Sequence, residues 1–114
     1  MEIKTETYEI NYDDATKTIR FQGSLRLSGM DEYRPIVQLL HEIAEKKPSH
    51  ITLNLRELKF LNSSGINVLS KFTIEVRKNK EIAMTVQGSK NVPWQGKSLK
   101  NLQRLMPALE LEWE

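Results

Sequence analysis

Apolar and polar residues alternate in some segments of the chain and recur every three to four positions in others. Alternation is typical of a half-buried strand, and the longer repeat is typical of an amphipathic helix. Alternation predicts three strands, which contain Ile19, Phe21, Leu25 and Leu27; Ile51, Leu53 and Leu55; and Leu109, Leu111 and Trp113. A bend or bulge is expected at Gly23. The apolar run from Ile82 to Val86 predicts a fourth, interior strand, and a short strand over 8–12 leads into a hairpin turn over 13–16.

The helical repeat occurs three times. The three apolar stripes consist of Tyr33, Ile36, Val37, Leu40, Ile43 and Ala44; of Ile66, Val68, Leu69, Phe72 and Val76; and of Leu99, Leu102 and Met106. Ser28 or Asp31 can cap the first helix, and Pro35 is tolerable if it lies in or near the first turn. We expect a short loop over 58–61 before the second helix. The third helix is predicted over 98–106, ended by Pro107.

Strands that alternate with helices indicate an α/β fold. We therefore predict one domain over residues 1–114, in which helices pack against a mixed β-sheet of four to five strands. A chain of 114 residues is about the length of one domain.

Charge and composition exclude several classes of function. The net charge is +2 and the chain has no cysteine. The small charge gives no reason to expect a nucleic-acid partner, and the missing cysteines exclude thiol catalysis, disulfides and thiolate metal sites. Neither a secretion signal at the N-terminus nor a membrane-length apolar run of roughly 18 residues is apparent. We therefore expect a cytoplasmic protein with no membrane insertion.

The segment Asn62-Ser63-Ser64-Gly65 joins the strand at 51–55 to the second helix. Asn62 is a favoured N-cap residue, and it places Ser63 and Ser64 in the first helical turn. The unpaired amides and partial positive charge of a helix N-terminus also stabilise a phosphate group. From local chemistry alone, the segment is either a plain helix cap or a site of serine phosphorylation.

The stretch from Ile51 to Leu69 resembles the signature of the STAS domain family, which includes the bacterial anti-anti-sigma factors. That signature is a strand, a hydrophobic loop, and Asp-Ser-Ser-Gly at the start of a helix. The resemblance implies that Ser64, the serine directly before the glycine, is the phosphorylation site. It also implies a partner switch in signal transduction and transcription regulation. A serine kinase of the anti-sigma-factor type binds the unphosphorylated domain, phosphorylation releases it, and a serine phosphatase restores binding. No cofactor of its own is implied.

The partner-binding face is predicted at the start of the second helix. It consists of Asn62, Ser63, Ser64, Gly65, Asn67, Val68 and Lys71, of which the last three follow Ser64 at helical spacing. Asn54 and Asn62 depart from the family pattern, which usually has aspartate at both positions. These departures keep an alternative open, namely a STAS subunit or scaffold of a transporter or sensor complex that is not phosphorylated.

The remaining polar groups indicate no catalytic site, so we predict that the chain is not an enzyme. No nucleophile–base pair or P-loop is present. His41 and His50 are nine residues apart, without a nearby carboxylate or histidine at ligand spacing, which favours structural roles over a metal site. Asp13 and Asp14 suit a turn. Trp94 is expected to fold over the core, and a solvated face is expected for Lys90, Lys97, Lys100 and Arg104.

Overall fold

The computed structural model describes residues 1–114 as one α/β domain with six strands and three helices. The elements, in chain order, are β1 (Glu2–Lys4), β2 (Tyr8–Asp13), β3 (Thr18–Leu25), α1 (Gly29–Glu45), β4 (His50–Leu61), α2 (Ser63–Lys78), β5 (Ala83–Gly88), α3 (Gln95–Leu105) and β6 (Glu110–Trp113). The predicted fold class is confirmed. None of the three helices has the length and apolar character that a membrane-spanning helix requires.

The six strands form one mixed sheet in which spatial order equals chain order. The first three strands pair antiparallel, and β3 to β6 pair parallel through the three helices. Each helix connects one strand to its direct neighbour, always in the same direction across the sheet. Right-handed crossovers of this kind place all three helices on one face of the sheet.

The hydrophobic core lies between that face and the helices. Its largest fully buried side chains include Phe21, Tyr33, Ile36, Leu53 and Leu55. The opposite face of the sheet is polar, because the side chains of a strand alternate between the two faces. One row across that face consists of Asn11, Arg20, Asn54, Gln87 and Glu112, which lie opposite one another in successive strands.

Strand β4 is longer than predicted, and the expected loop over 58–61 is wrong. The register against β3 shifts twice, once near Arg56 and once near Lys59. An extra residue at each shift changes which side chains face inward. Leu55, Leu58 and Leu61 are therefore all buried although they are three residues apart. This spacing hides the alternation on which the sequence prediction depends.

Three other features differ from expectation: the number of strands, the place of Pro35 and the start of α3. The sheet has one strand more than predicted because β1 has no hydrophobic pattern and is recognisable only by its pairing with β2. Pro35 is the seventh residue of α1, not a first-turn residue. Helix α3 begins three residues early because Gln95 is buried and donates to the carbonyl oxygen of Leu55 over 2.6 Å.

Two local predictions are confirmed. Gly23 lies beside a register shift with φ +91°, and an added Cβ would lie 2.3 Å from the Thr7 carbonyl oxygen. Only glycine fits that position without strain. Ser28 occupies the N-cap position of α1, although its side chain makes no cap hydrogen bond; its backbone amide donates to the carboxylate of Glu32 over 2.8 Å.

Candidate functional site

Helix α2 begins where β4 leaves the sheet, and Asn62 fixes that junction. The Asn62 backbone is extended, and its side-chain oxygen accepts the amide of Gly65 over 3.0 Å. Its backbone carbonyl accepts the amide of Ile66 over 2.9 Å. The first bond satisfies one of the amides that a helix start leaves unpaired, and the second is the first regular hydrogen bond of the helix. The predicted N-cap is confirmed.

The Asn62 side chain also connects α2 to two other segments. Its Nδ2 donates to the carbonyl of Leu27 over 2.8 Å, and its Oδ1 accepts the hydroxyl of Tyr33 over 2.6 Å. Burial raises the pKa of Tyr33, which keeps the hydroxyl protonated as the donor. An aspartate at this position could accept from Tyr33 but, when ionised, could not donate to Leu27. The hydrogen bond to Leu27 therefore explains why asparagine suits this position, and the local sequence does not reveal that bond.

Ser63 and Ser64 occupy the first two positions of α2. Ser63 is exposed and Ser64 is half-buried. The backbone amides of both serines have no acceptor within the protein, and the first turn contains no acidic residue. Free amides and the helix dipole make this a point of positive potential. A helix start of this kind favours negatively charged groups.

The predicted partner face is only partly exposed. Asn67 and Lys71 lie on the surface, as expected. Val68 is 4% exposed and Gly65 is buried, so the prediction that these two residues lie on the contact surface is wrong. Val68 faces α1, and an added Cβ at Gly65 would lie 2.2 Å from Cδ1 of Leu61. Both residues support the packing of α2 beneath the surface.

An apolar groove of about 80 Å³ runs between α1 and α2, beside this face. Its lining residues are Met30, Val37, Leu40, Val68, Lys71, Phe72 and Glu75. Met30 is 41% exposed at one end of the groove. Phe60, which is 37% exposed, lies at the end of β4 just before the N-cap, and the guanidinium of Arg26 stacks 4.3 Å from its ring centre.

Of the three large exposed apolar side chains in the chain, Met30 thus lies beside Val68 and Lys71 of α2, and Phe60 lies two residues before the N-cap. Aromatic residues and arginine are the types that most often anchor protein interfaces. Sequence reasoning missed Phe60 and Arg26 because it assigned Phe60 to a loop and gave Arg26 no role. The register shifts in β4 hide the alternation there, so the sequence offered no signal for the exposure of Phe60.

Asn54 does not belong to this site. It lies on the polar face of the sheet, and its side-chain oxygen accepts the Arg56 amide over 3.1 Å, next to a register shift. Eight strand positions separate it from Asn62, or about 25 Å along β4. The two positions at which the chain departs from the STAS pattern are therefore structurally independent.

His41 has more neighbours than the sequence predicted. It is exposed on α1, as expected, but Nδ1 lies 2.8 Å from the Glu75 carboxylate and Nε2 lies 3.4 Å from that of Glu45. The statement that no carboxylate is nearby is wrong, because it overlooked Glu45 one turn away and could not foresee Glu75 on α2. His50 contacts the Thr85 hydroxyl on the polar sheet face, with 3.1 Å from Nε2 to Oγ1.

The other candidates have the structural positions that were expected. Asp13 accepts the amide of Ala15 in the hairpin turn, over 3.0 Å. Trp94 is half-buried, and its indole nitrogen donates to the Leu58 carbonyl over 2.9 Å. The basic cluster near α3 is exposed throughout and consists of Lys90, Lys97, Lys100 and Arg104.

Comparison with known proteins identifies the fold. No family model matches the chain, and no curated protein matches its sequence. A chain in the crystal structure of diguanylate cyclase SiaD in complex with its activator SiaC from Pseudomonas aeruginosa has a TM-score of 0.76 and 11% identity, over 100% of this chain and 99% of that chain. SiaC of Pseudomonas aeruginosa has a TM-score of 0.69 and 10% identity, over 98% and 93% of the two chains. The chain has the same fold as these structures, over nearly its whole length.

Proposed function

We propose that this chain is a partner-switching signalling protein. In its unphosphorylated form it binds a regulator protein through the start of α2, and phosphorylation of Ser64 releases that regulator. One observation carries the proposal: the Asn-Ser-Ser-Gly turn stands at a capped helix start with free amides, and Phe60, two residues before the cap, is exposed. A modifiable hydroxyl thus lies close in the chain to an exposed aromatic side chain suited to a protein contact.

The likeness to SiaC supports a binding function. SiaC is named as the activator of diguanylate cyclase SiaD and forms a complex with it. The present chain shares the fold across nearly the whole length of both proteins. A fold of this kind therefore serves at least one protein that acts by binding and regulating another.

The switch that we propose is electrostatic and steric. A phosphoserine carries between one and a half and two negative charges, with three acceptor oxygens. At Ser64 the phosphate group would stand in the first turn of α2, on the predicted partner face, where a partner has to approach closely. In the proposed cycle a serine kinase of the anti-sigma-factor type supplies the ATP and magnesium, and a serine phosphatase removes the phosphate. The chain itself contributes no catalysis.

Phosphorylation can be tested with an extract of the native organism supplemented with ATP. We expect intact mass measurement to show one added phosphate, and peptide mapping to place it on Ser64. Ser64→Ala should abolish the addition, while the matched control Ser63→Ala should retain it. A phosphate mapped to Ser63 or to another element would contradict the assignment of the site.

A second function is favoured by one observation, the structural role of Asn62. Asn62 carries no charge where the resembled family usually has aspartate, and its amide instead donates to the Leu27 carbonyl. The alternative is a constitutive subunit or scaffold of a transporter or sensor complex, which binds through the same face without phosphorylation. A chain purified from its own organism in a stable complex, with no phosphate under any growth condition, would favour this alternative.

A further inference from the structure

Three side chains that can bind metal converge on the outer surface of the α1–α2 pair. His41 and Glu45 lie one turn apart on α1, and Glu75 faces them from α2. One potential ligand atom from each residue lies within 4.8 Å of the other two. The two helices hold these residues on regular secondary structure, not on loops.

We propose that His41, Glu45 and Glu75 form a divalent transition-metal site, and that zinc is the ion their chemistry fits best. Zinc binds imidazole nitrogen and carboxylate oxygen at about 2.0–2.2 Å in a tetrahedral arrangement. Ligand atoms around such an ion are about 3.4 Å apart. One ligand atom from each residue lies within 4.8 Å of the other two. Glu75 approaches Nδ1 of His41 and Glu45 approaches Nε2, so the ring has to turn for both carboxylates to share an ion at one nitrogen, and all three side chains are at least partly exposed. Small rotations can therefore complete the geometry.

The charges of the cluster match the ion. Two carboxylates balance the two positive charges of zinc, and a neutral imidazole adds a nitrogen ligand. Each carboxylate approaches a ring nitrogen of His41, while Lys47 and Lys78 line the adjoining charged groove. The exposure of the site leaves space for water as the fourth ligand. Magnesium and calcium prefer sites made of oxygen alone, which this cluster is not.

A bound ion would link α1 to α2. Glu75 also lines the apolar groove together with Met30 and Val68, so the metal site adjoins the face that we propose for partner binding. Glu75 follows Ser64 by eleven residues, which is about 16 Å along the helix axis. The inference itself depends only on the three ligands and not on the proposed switch. It revises the sequence-based expectation of no metal site.

Isothermal titration of the full chain with zinc chloride tests the proposal. We expect one ion per chain with a dissociation constant in the micromolar range, and no saturation with magnesium. His41→Ala and Glu75→Gln should each weaken zinc binding by at least about tenfold. The matched control His50→Ala, on the opposite face of the sheet, should bind zinc as the wild type does.

Thermal unfolding with and without zinc provides a second measurement. Binding to the folded state alone raises the melting temperature, and His41→Ala should lose that increase while keeping the wild-type melting temperature without metal. Zinc binding of wild-type strength in His41→Ala would place the ion elsewhere and overturn the proposal. The absence of saturable zinc binding to the wild type up to about 1 mM, which corresponds to roughly −4 kcal/mol, would overturn it as well.

Discussion

At the scale of single residues, Asn62 organises the proposed site. Its side chain accepts from Gly65 and Tyr33 and donates to Leu27. The side-chain amide of Asn62 thus links α2 to α1 through Tyr33, and to the segment after β3 through Leu27. Removal of the amide would leave polar groups without partners in a partly buried region, which usually costs more than a single hydrogen bond contributes.

This arrangement predicts a ranking of two substitutions. Asn62→Ala removes the cap and both long-range bonds, and we expect it to lower the free energy of unfolding by about 2–4 kcal/mol. Asn62→Asp keeps the acceptor for Gly65 and Tyr33 and loses only the donor to Leu27, so it should lie between the wild type and Asn62→Ala. Urea denaturation at neutral pH measures all three. Equal stability of Asn62→Ala and the wild type would contradict this account.

Tyr33 predicts a dependence of stability on alkaline pH. Burial raises its pKa above the ordinary value in the folded state, so the folded state retains a proton that the unfolded state loses. This contribution to stability is complete below about pH 10, the ordinary pKa of tyrosine, and is lost as the pH rises further. As the pH rises above about 10, Tyr33→Phe should lose less stability than the wild type, which chemical denaturation at several pH values can measure.

At the scale of elements, one side of α2 packs into the core and the other side lies on the surface. Its inner side packs against α1 and the sheet through buried residues such as Phe72 and Val76. Its outer side presents Asn67 and Lys71 along the same helix as Ser64. Substitutions on the two sides should therefore have separable effects on stability and on partner binding.

Lys71→Glu and Asn67→Arg should weaken binding of the proposed partner. They should change the free energy of unfolding by less than about 0.5 kcal/mol, since both residues are on the surface. Ser64→Glu should weaken binding as well, but less than the phosphate does, because a carboxylate carries less charge. Surface plasmon resonance with the captured partner measures the affinity. Wild-type affinity in all three variants would place the interface elsewhere.

Phe72→Ala, on the buried side of α2, is the matched control for the surface substitutions. The ring is 3% exposed, and its loss should lower the free energy of unfolding by roughly 3 kcal/mol or more. Because the surface of the start of α2 is unchanged, folded protein at low temperature should still bind the partner. Thermal denaturation and binding measured on the same sample separate the two effects.

The close packing around Gly65 predicts that a larger residue there destabilises the fold. An added Cβ would lie 2.2 Å from Leu61 Cδ1 and 2.7 Å from the Tyr33 hydroxyl. Gly65→Ala should therefore cost about 1–3 kcal/mol, as overpacked sites do, although alanine favours helix by about 1 kcal/mol. Gly96→Ala, in α3, is the control, because nothing lies within 4 Å of its added Cβ. It should leave the melting temperature unchanged or slightly higher.

At the scale of the whole molecule, the sheet separates two surfaces. The helices and the proposed site occupy one side, and the polar rows of the sheet, including Asn54, form the other. A change on the polar face therefore has no direct route to the start of α2. The two residues that differ from the STAS pattern lie on different surfaces, so their effects on function should differ.

Asn54→Asp and Asn62→Asp restore the usual residue of the resembled family at each position. We expect Asn54→Asp to leave partner affinity and the phosphorylation rate unchanged, since it keeps an acceptor for the Arg56 amide. Asn62→Asp should change both, because it places a charge beside Ser64. Time courses of phosphate incorporation compare the variants. A large effect of Asn54→Asp would mean that the partner also contacts the polar face.

Most of the fold follows from the hydrophobic pattern, but several features depend on tertiary contacts. Periodicity predicts the helices and five of the strands, and the Asn-Ser-Ser-Gly turn is recognisable as a cap. The pattern could not reveal β1, whose formation depends on its neighbour, or the end of β4, where register shifts interrupt alternation. The Tyr33–Asn62 bond and the approach of Glu75 to His41 join residues 29 and 34 positions apart. Local sequence contains no signal for such contacts.

The agreement between strand order in space and in the chain has a consequence for how the molecule assembles. Each strand joins the edge that the preceding strand has just formed, so no segment has to pass between two others. The sheet can grow in one direction as the polypeptide emerges during synthesis, from the first hairpin toward β6. Every partly built sheet exposes one growing edge, and the next segment of the chain covers it. Contacts between elements that are neighbours in the chain favour rapid folding. Because each exposed strand edge is soon paired with the next strand, aggregation of the nascent protein through that edge is limited.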